Sequence, residues 1–210
     1  MRLGASQRLG LSLHVFAVRC TMHVMHNREQ PTPPVEHSQL DVGARFFDEM
    51  ARKRSESQGE VVMVIRRPRG KVLLVTKEFY PAGVCRLPSG QMEQDECPKD
   101  TLQREVLEET GLHAQIERCL CVISCTLSSG PRSLEYLSYV MLTQETAGKA
   151  VARDTEEQIT GFDEVDPCNL SDVVKQLREL SDPWRDWGRF RALAHDFVYR
   201  VMCDKRLSPS

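Results

Sequence analysis

Apolar residues recur along this chain in blocks whose period changes from one block to the next. Leu40, Val42, Ala44, Phe46, Phe47, Met50 and Ala51 have mainly helical spacing, with Ser38 or Asp41 in place to cap a helix. Val61–Ile65 and Val72–Val75 are unbroken apolar runs rich in valine, which predicts two strands; Arg66–Lys71, containing Pro68 and Gly70, joins them. Pro81–Pro88 reads as a loop. Pro98 suits a first helical position and Gly111 a helix stop, so a helix is predicted over Pro98–Thr110, with Leu102 and Val106 one turn apart on its inner side and Leu107 beside them. Long strands at Leu112–Leu127 and Ser133–Leu142 flank the turn sequence Ser128–Arg132, and Ile159–Val165 is a shorter strand. Two helices follow, Leu170–Leu180 with Ser171 as its cap and Asp182–Met202 with Pro183 at N1. The second carries an apolar stripe of Trp184, Trp187, Phe190, Leu193, Ala194, Phe197 and Val201, the mark of core packing or a dimer contact. No internal repeat is visible. Strands interleaved with helices and hairpins predict an α+β fold, a sandwich with a mixed sheet and a C-terminal helical extension.

The chemistry concentrates on the helix over Pro98–Thr110. Glu105, Glu108 and Glu109 stand at i, i+3 and i+4, so three carboxylates crowd one helix face. From Gly90 to Gly111 there are seven acids against Lys99 and Arg104. A helix gains nothing from such crowding unless a cation is present, and Mg²⁺ takes a few carboxylates together with phosphate oxygens of a substrate. A merely solvated acidic face explains the charge but not the glycine and aliphatic positions around it. Gly90, then Glu96 six residues on, then Arg104-Glu105-Val106-Leu107-Glu108-Glu109-Thr110-Gly111-Leu112 resembles the Nudix box, with every defined position filled. With average residue usage, a chance match is on the order of 10⁻⁹ per starting position. The box covers 23 residues, and the element order suits the family from about Glu60 to Leu180.

The resemblance implies a Nudix-type α/β/α sandwich and a set of roles. Glu105, Glu108 and Glu109 are the expected metal ligands, joined by the backbone carbonyl of Gly90, for Mg²⁺ or Mn²⁺. Glu96 and Arg104 are the expected orienting pair, Arg104 holding Glu96 and setting the angle of Glu105. Glu93 and Asp95 are expected to be solvated. A further carboxylate, ligand or general base, is expected from the loop holding Asp154, Glu156 and Glu157, with Glu156 named first and Glu157 next. Lys77, Arg86 and Arg66, on or near the strands entering the site, are the candidates for binding substrate phosphates.

Composition narrows the partners. At 210 residues, with 40% apolar and 28% charged residues, the chain is of globular type, one domain with extensions. A formal net charge of −2 gives no global basic field for nucleic acid or an anionic membrane, and no apolar run approaches the 18 or more residues of a membrane span. The eight cysteines show no metal-site spacing and are expected to be free thiols of a reducing compartment. Residues 1–28 contain arginines and no acid, which suits either a mitochondrial transit peptide or an over-extended start with Met22 or Met25 as the first residue. Residues 27–36, with Pro31, Pro33 and Pro34, suit an extended linker. The expected organisation is a poorly ordered leader and linker over 1–37 and a hydrolase domain over 38–210, its C-terminal helices at about 168–203, located in the cytoplasm.

The implied reaction is metal-assisted water attack on the diphosphate linkage of a nucleoside diphosphate joined to another group. Tyr80-Pro81-Ala82-Gly83, Leu87-Pro88-Ser89-Gly90 and the later Ser128-Ser129-Gly130-Pro131 with Glu135 are similar to sugar-nucleotide pyrophosphatases. Pro131, however, lies nineteen residues past Leu112, which departs from the spacing of an ADP-ribose enzyme. Two alternatives stand beside this one: a regulator on the same fold that binds a nucleotide without cleaving it, and an RNA-end hydrolase, for which Arg185, Arg189 and Arg191 beside Trp184 and Trp187 are the hint. A small-molecule nucleotide is the expected partner, with a homodimer as a further expectation.

Overall fold

The computed structural model describes residues 32–153 and 155–203. Its centre is a mixed five-stranded sheet in the order β1-β5-β6-β2-β4, formed by β1 (Val35–Asp41), β2 (Glu60–Val64), β4 (Ser89–Gln91), β5 (Ile116–Ser129) and β6 (Arg132–Thr143). β1 runs parallel to β5 and β2 parallel to β6, whereas β5–β6 and β2–β4 are antiparallel. A second pair, β3 (Val72–Lys77) with β7 (Ile159–Val165), lies outside this sheet.

All five residues of β2 are buried, because the sheet is covered on both faces. Successive side chains point to opposite faces. Val61 and Met63 therefore pack with Leu102 and Val106 of α2 (Pro98–Thr110), while Val62 and Val64 pack with Ala194, Phe197 and Val198 of α4 (Arg185–Cys203). α3 (Leu170–Arg178) lies against α4, and α1 (Ala44–Glu56) inserts Phe46, Phe47 and Met50 against Leu127, Tyr136 and Phe190. Helices on both sides of a mixed sheet make the expected α/β/α sandwich.

α2 keeps its predicted limits: Pro98 opens it, and Gly111, at φ 65°, closes it in the left-handed conformation that glycine adopts without steric cost. β7 also keeps its limits. Several other expectations are corrected. Residues 35–41, read as the end of a linker and the start of a helix, form β1; its register with β5, from Val35↔Val122 to Asp41↔Ser128, is a long-range pairing that local spacing does not reveal. The helix begins at Ala44, with neither Ser38 nor Asp41 as its cap. Pro183 precedes α4 instead of occupying its first turn, and α3 starts after Asn169 without a cap from Ser171. Cys168 and Cys203 form a disulfide, because the α3–α4 hairpin returns the chain on itself and leaves their Cα atoms 5.0 Å apart. Cys85, Cys97, Cys119, Cys121 and Cys125 are free, as expected. The expectations for residues 1–28, for Cys20 and for Asp154 fall outside the described residues. Among the described residues no helix is long and apolar enough to cross a membrane.

Candidate active site

A cleft of about 690 Å³ opens between α2, β4, the segment after β3, the start of α1 and the start of α4. α2 delivers the carboxylates. Leu102 and Val106, fully buried, press the helix onto the sheet, and Glu105 and Glu109, each one turn or less from them, are thereby carried inward. β4 pairs antiparallel with β2, placing Gly90 opposite Val61 and directly beneath Glu105. A β-carbon at position 90 would lie 1.8 Å from Cδ of Glu105, so the contact exists only because residue 90 is glycine.

Arg104 organises this end of the cleft. Its Nε and Nη2 each donate at 2.8 Å to the two oxygens of Glu96, a bidentate pair, and Nη1 donates to Glu105 Oε1 at 2.9 Å and to Glu108 Oε2 at 3.1 Å. Nη2 also donates to the carbonyl of Gln91, and Thr101 Oγ1 and the backbone N–H of Glu93 donate to Glu96. Hydrogen bonding to Arg104 holds the Glu96 carboxyl down at about 2. Glu105 behaves in the opposite way: burial raises its carboxyl to about 7 despite Arg104 beside it.

Glu109 is fully buried, and neither of its carboxylate oxygens has a hydrogen-bond partner. Lys77 Nζ stands 3.2 Å from Glu109 Oε1 as an ion-pair partner, without hydrogen-bond geometry, and donates instead to Glu157. Burial raises Glu109 above the usual carboxylate range, against the opposing pull of Arg86 and Lys77. For Glu157 burial also works upward, but the bond and charge of Lys77 outweigh it and hold the group ionised.

The floor is built from buried polar residues. Arg86 donates to Tyr80 Oη at 2.6 Å, to the Leu87 carbonyl at 2.7 Å and to Ser89 Oγ at 3.1 Å. Arg191 donates to the same Ser89 Oγ and, at 2.7 Å, to Glu60, which also accepts from Ser138. Burial works to raise Glu60, but Arg191 and Ser138 overcome it and lower its pKa.

The structure thus brings Glu105, Gly90, Lys77 and Arg86 to one cleft; Glu109 lies behind it against Lys77, and Arg104 ties Glu96 and Glu108 to Glu105. Glu156 is corrected: its neighbour Glu157 lines the cleft, because Lys77 pairs with Ile159 in the β3–β7 register and so draws in the residue two before the strand. Arg66 is also corrected; it pairs with Glu117 and does not line the cleft. Sequence reasoning missed Glu60, although it left a signal as an acid opening a strand otherwise wholly apolar; Arg191 was read there only as part of a basic hint for RNA ends, not as the partner of Glu60.

Among the described residues, no three His, Cys, Asp or Glu side chains already converge as a cation site; Arg104 and Lys77 stand among the carboxylates instead. The donors nevertheless fit a hard divalent cation. They are oxygen ligands, Glu109 carries two buried and unsatisfied oxygens, and Gly90 leaves the space that Glu105 and its own carbonyl share.

Comparison with known proteins places the chain in a family. A family model described as NUDIX domain matches residues 56–193. A Danio rerio protein named 8-oxo-dGDP phosphatase NUDT18 is 32% identical over 134 residues, covering 58% of this chain and 38% of its own. The chain therefore spans well under half the length of that curated relative. Among solved structures, the E. coli ORF135 protein superposes with a TM-score of 0.50 at 18% identity, covering 74% of this chain and 98% of that one. The MutT protein of Methanosarcina mazei gives 0.47 at 16% identity, covering 86% and 100%. At 18% identity the likeness to the ORF135 protein is one of fold alone.

Proposed function

The chain belongs to the NUDIX domain family, and from that premise we propose that it hydrolyses the diphosphate linkage of a nucleoside diphosphate derivative with the help of Mg²⁺. The observation that carries this reading is Glu109. Its carboxylate is fully buried one turn along α2 from Glu105, with no hydrogen bond to either oxygen and Lys77 as its ion-pair partner, and this leaves its oxygens free to ligate a hard cation.

Glu105, Glu108, Glu109 and the Gly90 carbonyl would hold the cation, Mg²⁺ or in its place Mn²⁺. Bound there, a divalent cation neutralises diphosphate oxygens and makes water a better nucleophile. The chain's own residues do the rest. Arg104 fixes the rotamers of Glu105 and Glu96, so the ligand geometry is preset. Lys77 keeps Glu157 ionised, and the Glu157 carboxylate accepts the proton of the attacking water. Water oxygen bonds to phosphorus as the bridging P–O bond breaks, and the charge leaves on the departing phosphate. Lys77 and Arg86 place positive charge where the diphosphate must lie. Arg66, tied to Glu117, has no part in this.

The Danio rerio relative is named for a nucleoside diphosphate, which favours testing free diphosphates beside sugar nucleotides such as ADP-ribose. The decisive experiment incubates purified protein with both classes, with Mg²⁺, with Mn²⁺ and with excess EDTA, and separates the products. Release of nucleoside monophosphate that needs the metal supports the reading. Full turnover in chelator removes it, and binding without cleavage transfers the protein to the regulator class.

A further inference from the structure

The connection from β6 to β7, residues 144–158, is long, and it is tied down at three successive places. Arg67, in the connection from β2 to β3 and only 4% exposed, makes the first tie with a spread guanidinium. Its Nη1 donates to the Thr146 carbonyl, its Nη2 to the Gly148 carbonyl, and its Nε at 2.8 Å to Glu164 of β7. The second tie lies against α2. The Val151 N–H donates at 2.8 Å to the Thr110 carbonyl and the Arg153 N–H at 2.9 Å to the Glu108 carbonyl, filling acceptors that the last turn of a helix leaves open. At the third, the Gln158 carbonyl accepts from the Glu78 N–H at 2.9 Å, and Glu157 accepts from Lys77.

These ties converge on the carboxylate named above as general base. Gln158, directly after Glu157, has φ 51°, a left-handed conformation that a residue with a side chain adopts rarely and keeps only where its surroundings determine it. The crossing over α2 depends on close approach, since a β-carbon at Gly111 would lie 2.7 Å from the Val151 carbonyl oxygen. That crossing is made by backbone groups on both sides, so no side chain within it selects its register. Arg67 supplies the missing selection. Its planar fork reaches two carbonyls of one loop and a carboxylate together, which a single ammonium group does not do. Arg67 does not line the cleft, and its ion-pair partner is Glu164, so its effect on the chemistry passes through the loop.

We infer that Arg67 is a positioning residue: by clamping Thr146 and Gly148 it sets the course of the loop across the end of α2, and thereby the place of Glu157 in the cleft. The inference rests on the hydrolase reading, with Glu157 as its base, for its catalytic consequence; the clamp itself is a claim about the loop. Glu108 joins the two halves of the site. Its side chain belongs to the candidate ligand set and its carbonyl holds Arg153, so the ligand helix and the base loop form one body.

The experiment compares the full chain with Arg67→Met, which keeps the apolar stem and removes the fork, and Arg67→Lys, which keeps a cation for Glu164 but not both carbonyl bonds. Each is also made in a Glu157→Gln background. Amide hydrogen exchange is measured in EDTA without nucleotide. The Val151 and Arg153 amides should exchange about 10-fold faster or more in both Arg67 variants, while the amides of β2 and β6 keep their wild-type rates. Kinetics follow with Mg²⁺ and the diphosphate that the wild type cleaves. Arg67→Met should lower kcat roughly 10-fold or more with KM little changed, as for a displaced catalytic group. In the Glu157→Gln background the same change should cost no more than about twofold, because the base it positions is gone. Arg67→Lys carries the same cycle where Arg67→Met does not fold.

Wild-type exchange at Val151 and Arg153 in both Arg67 variants overturns the clamp. An equal loss of kcat in the wild-type and Glu157→Gln backgrounds also overturns it, since a residue that only supports the fold acts whether or not the base is present; the hydrolase reading then stands. Accelerated exchange in a protein that cleaves no diphosphate supports the clamp and removes the hydrolase reading.

Discussion

The carboxylate of Glu105 rests on the bare α-carbon of Gly90, where a β-carbon would fall 1.8 Å from Glu105 Cδ and 2.2 Å from Oε1. Backbone and carboxylate are thus in contact across a strand and a helix that adjoin only in the folded chain. Glu105 is also held from the side by Arg104 at 2.9 Å, so its position is determined from two directions.

Gly90→Ala is therefore expected to displace Glu105 rather than to unfold the protein. A shift of about 1 Å in a catalytic group costs on the order of 100-fold in rate. The check is kcat for hydrolysis with the far-UV spectrum and melting temperature recorded in the same buffer. An alanine variant with wild-type turnover would falsify the role given to the Gly90–Glu105 contact.

Glu108 differs from its two neighbours in being 42% exposed and touched by Arg104 at 3.1 Å. Glu108→Gln keeps the shape, removes a charge and weakens a hard-cation ligand. Turnover should fall roughly 100-fold or more with KM little changed, since the lost interaction acts chiefly in the transition state. Metal also stabilises whatever it binds, so Mg²⁺ should raise the melting temperature of the wild type more than that of the variant. Equal metal-induced shifts in the two proteins would remove Glu108 from the ligand set.

How much of this was legible in the chain depends on the range of the interaction. α2 was readable to the residue, because Pro98, Gly111 and the Leu102–Val106 spacing are local signals that the tertiary structure reinforces. The proximity of Gly90, Glu96, Arg104, Glu105 and Glu108 was legible because they are compressed into one loop and one helix. β1 was not, since its identity comes from pairing with residues 122–128, far along the chain. Glu156 and Glu157 are adjacent and chemically identical; only the β3–β7 register decides which one meets Lys77. Trp184 and Trp187 were legible as part of an apolar stripe, but that Trp184 stacks on Phe79 required the fold.

Glu156 and Glu157 are separated by a paired test. Glu157→Gln should lose turnover by roughly 10-fold to 1,000-fold, the range for removal of a general base, and should flatten the acidic limb of the pH–rate profile. Glu156→Gln should remain within about twofold of wild type, since the side chain is exposed and lies outside the cleft. If the two variants exchange these behaviours, the loop must adopt another register when substrate is bound.

His195 gives a prediction about stability that involves no metal. It is buried on α4, accepts a hydrogen bond from the Leu87 N–H through Nε2 at 2.8 Å, and its Nδ1 faces the Arg191 carbonyl at 2.8 Å. An imidazole that accepts at Nε2 carries its proton at Nδ1, so both ring nitrogens are committed in the neutral form. Burial, with the positive charges of Arg86 and Arg191 nearby, lowers its pKa to about 3, from 6.5 in the unfolded chain. Between these values the unfolded state binds a proton that the native state refuses. Stability from this group is therefore complete above about pH 6.5 and declines as pH falls towards 3, with a limiting slope of about 1.4 kcal/mol per pH unit. Thermal unfolding of the wild type should thus move to lower temperature from pH 7 to pH 5. His195→Gln should melt lower than wild type at pH 8, through loss of the fitted ring, but with a shallower dependence on pH. Comparing the two slopes separates the histidine from the carboxylates that both proteins share; parallel slopes would show that His195 does not govern acid stability in this range.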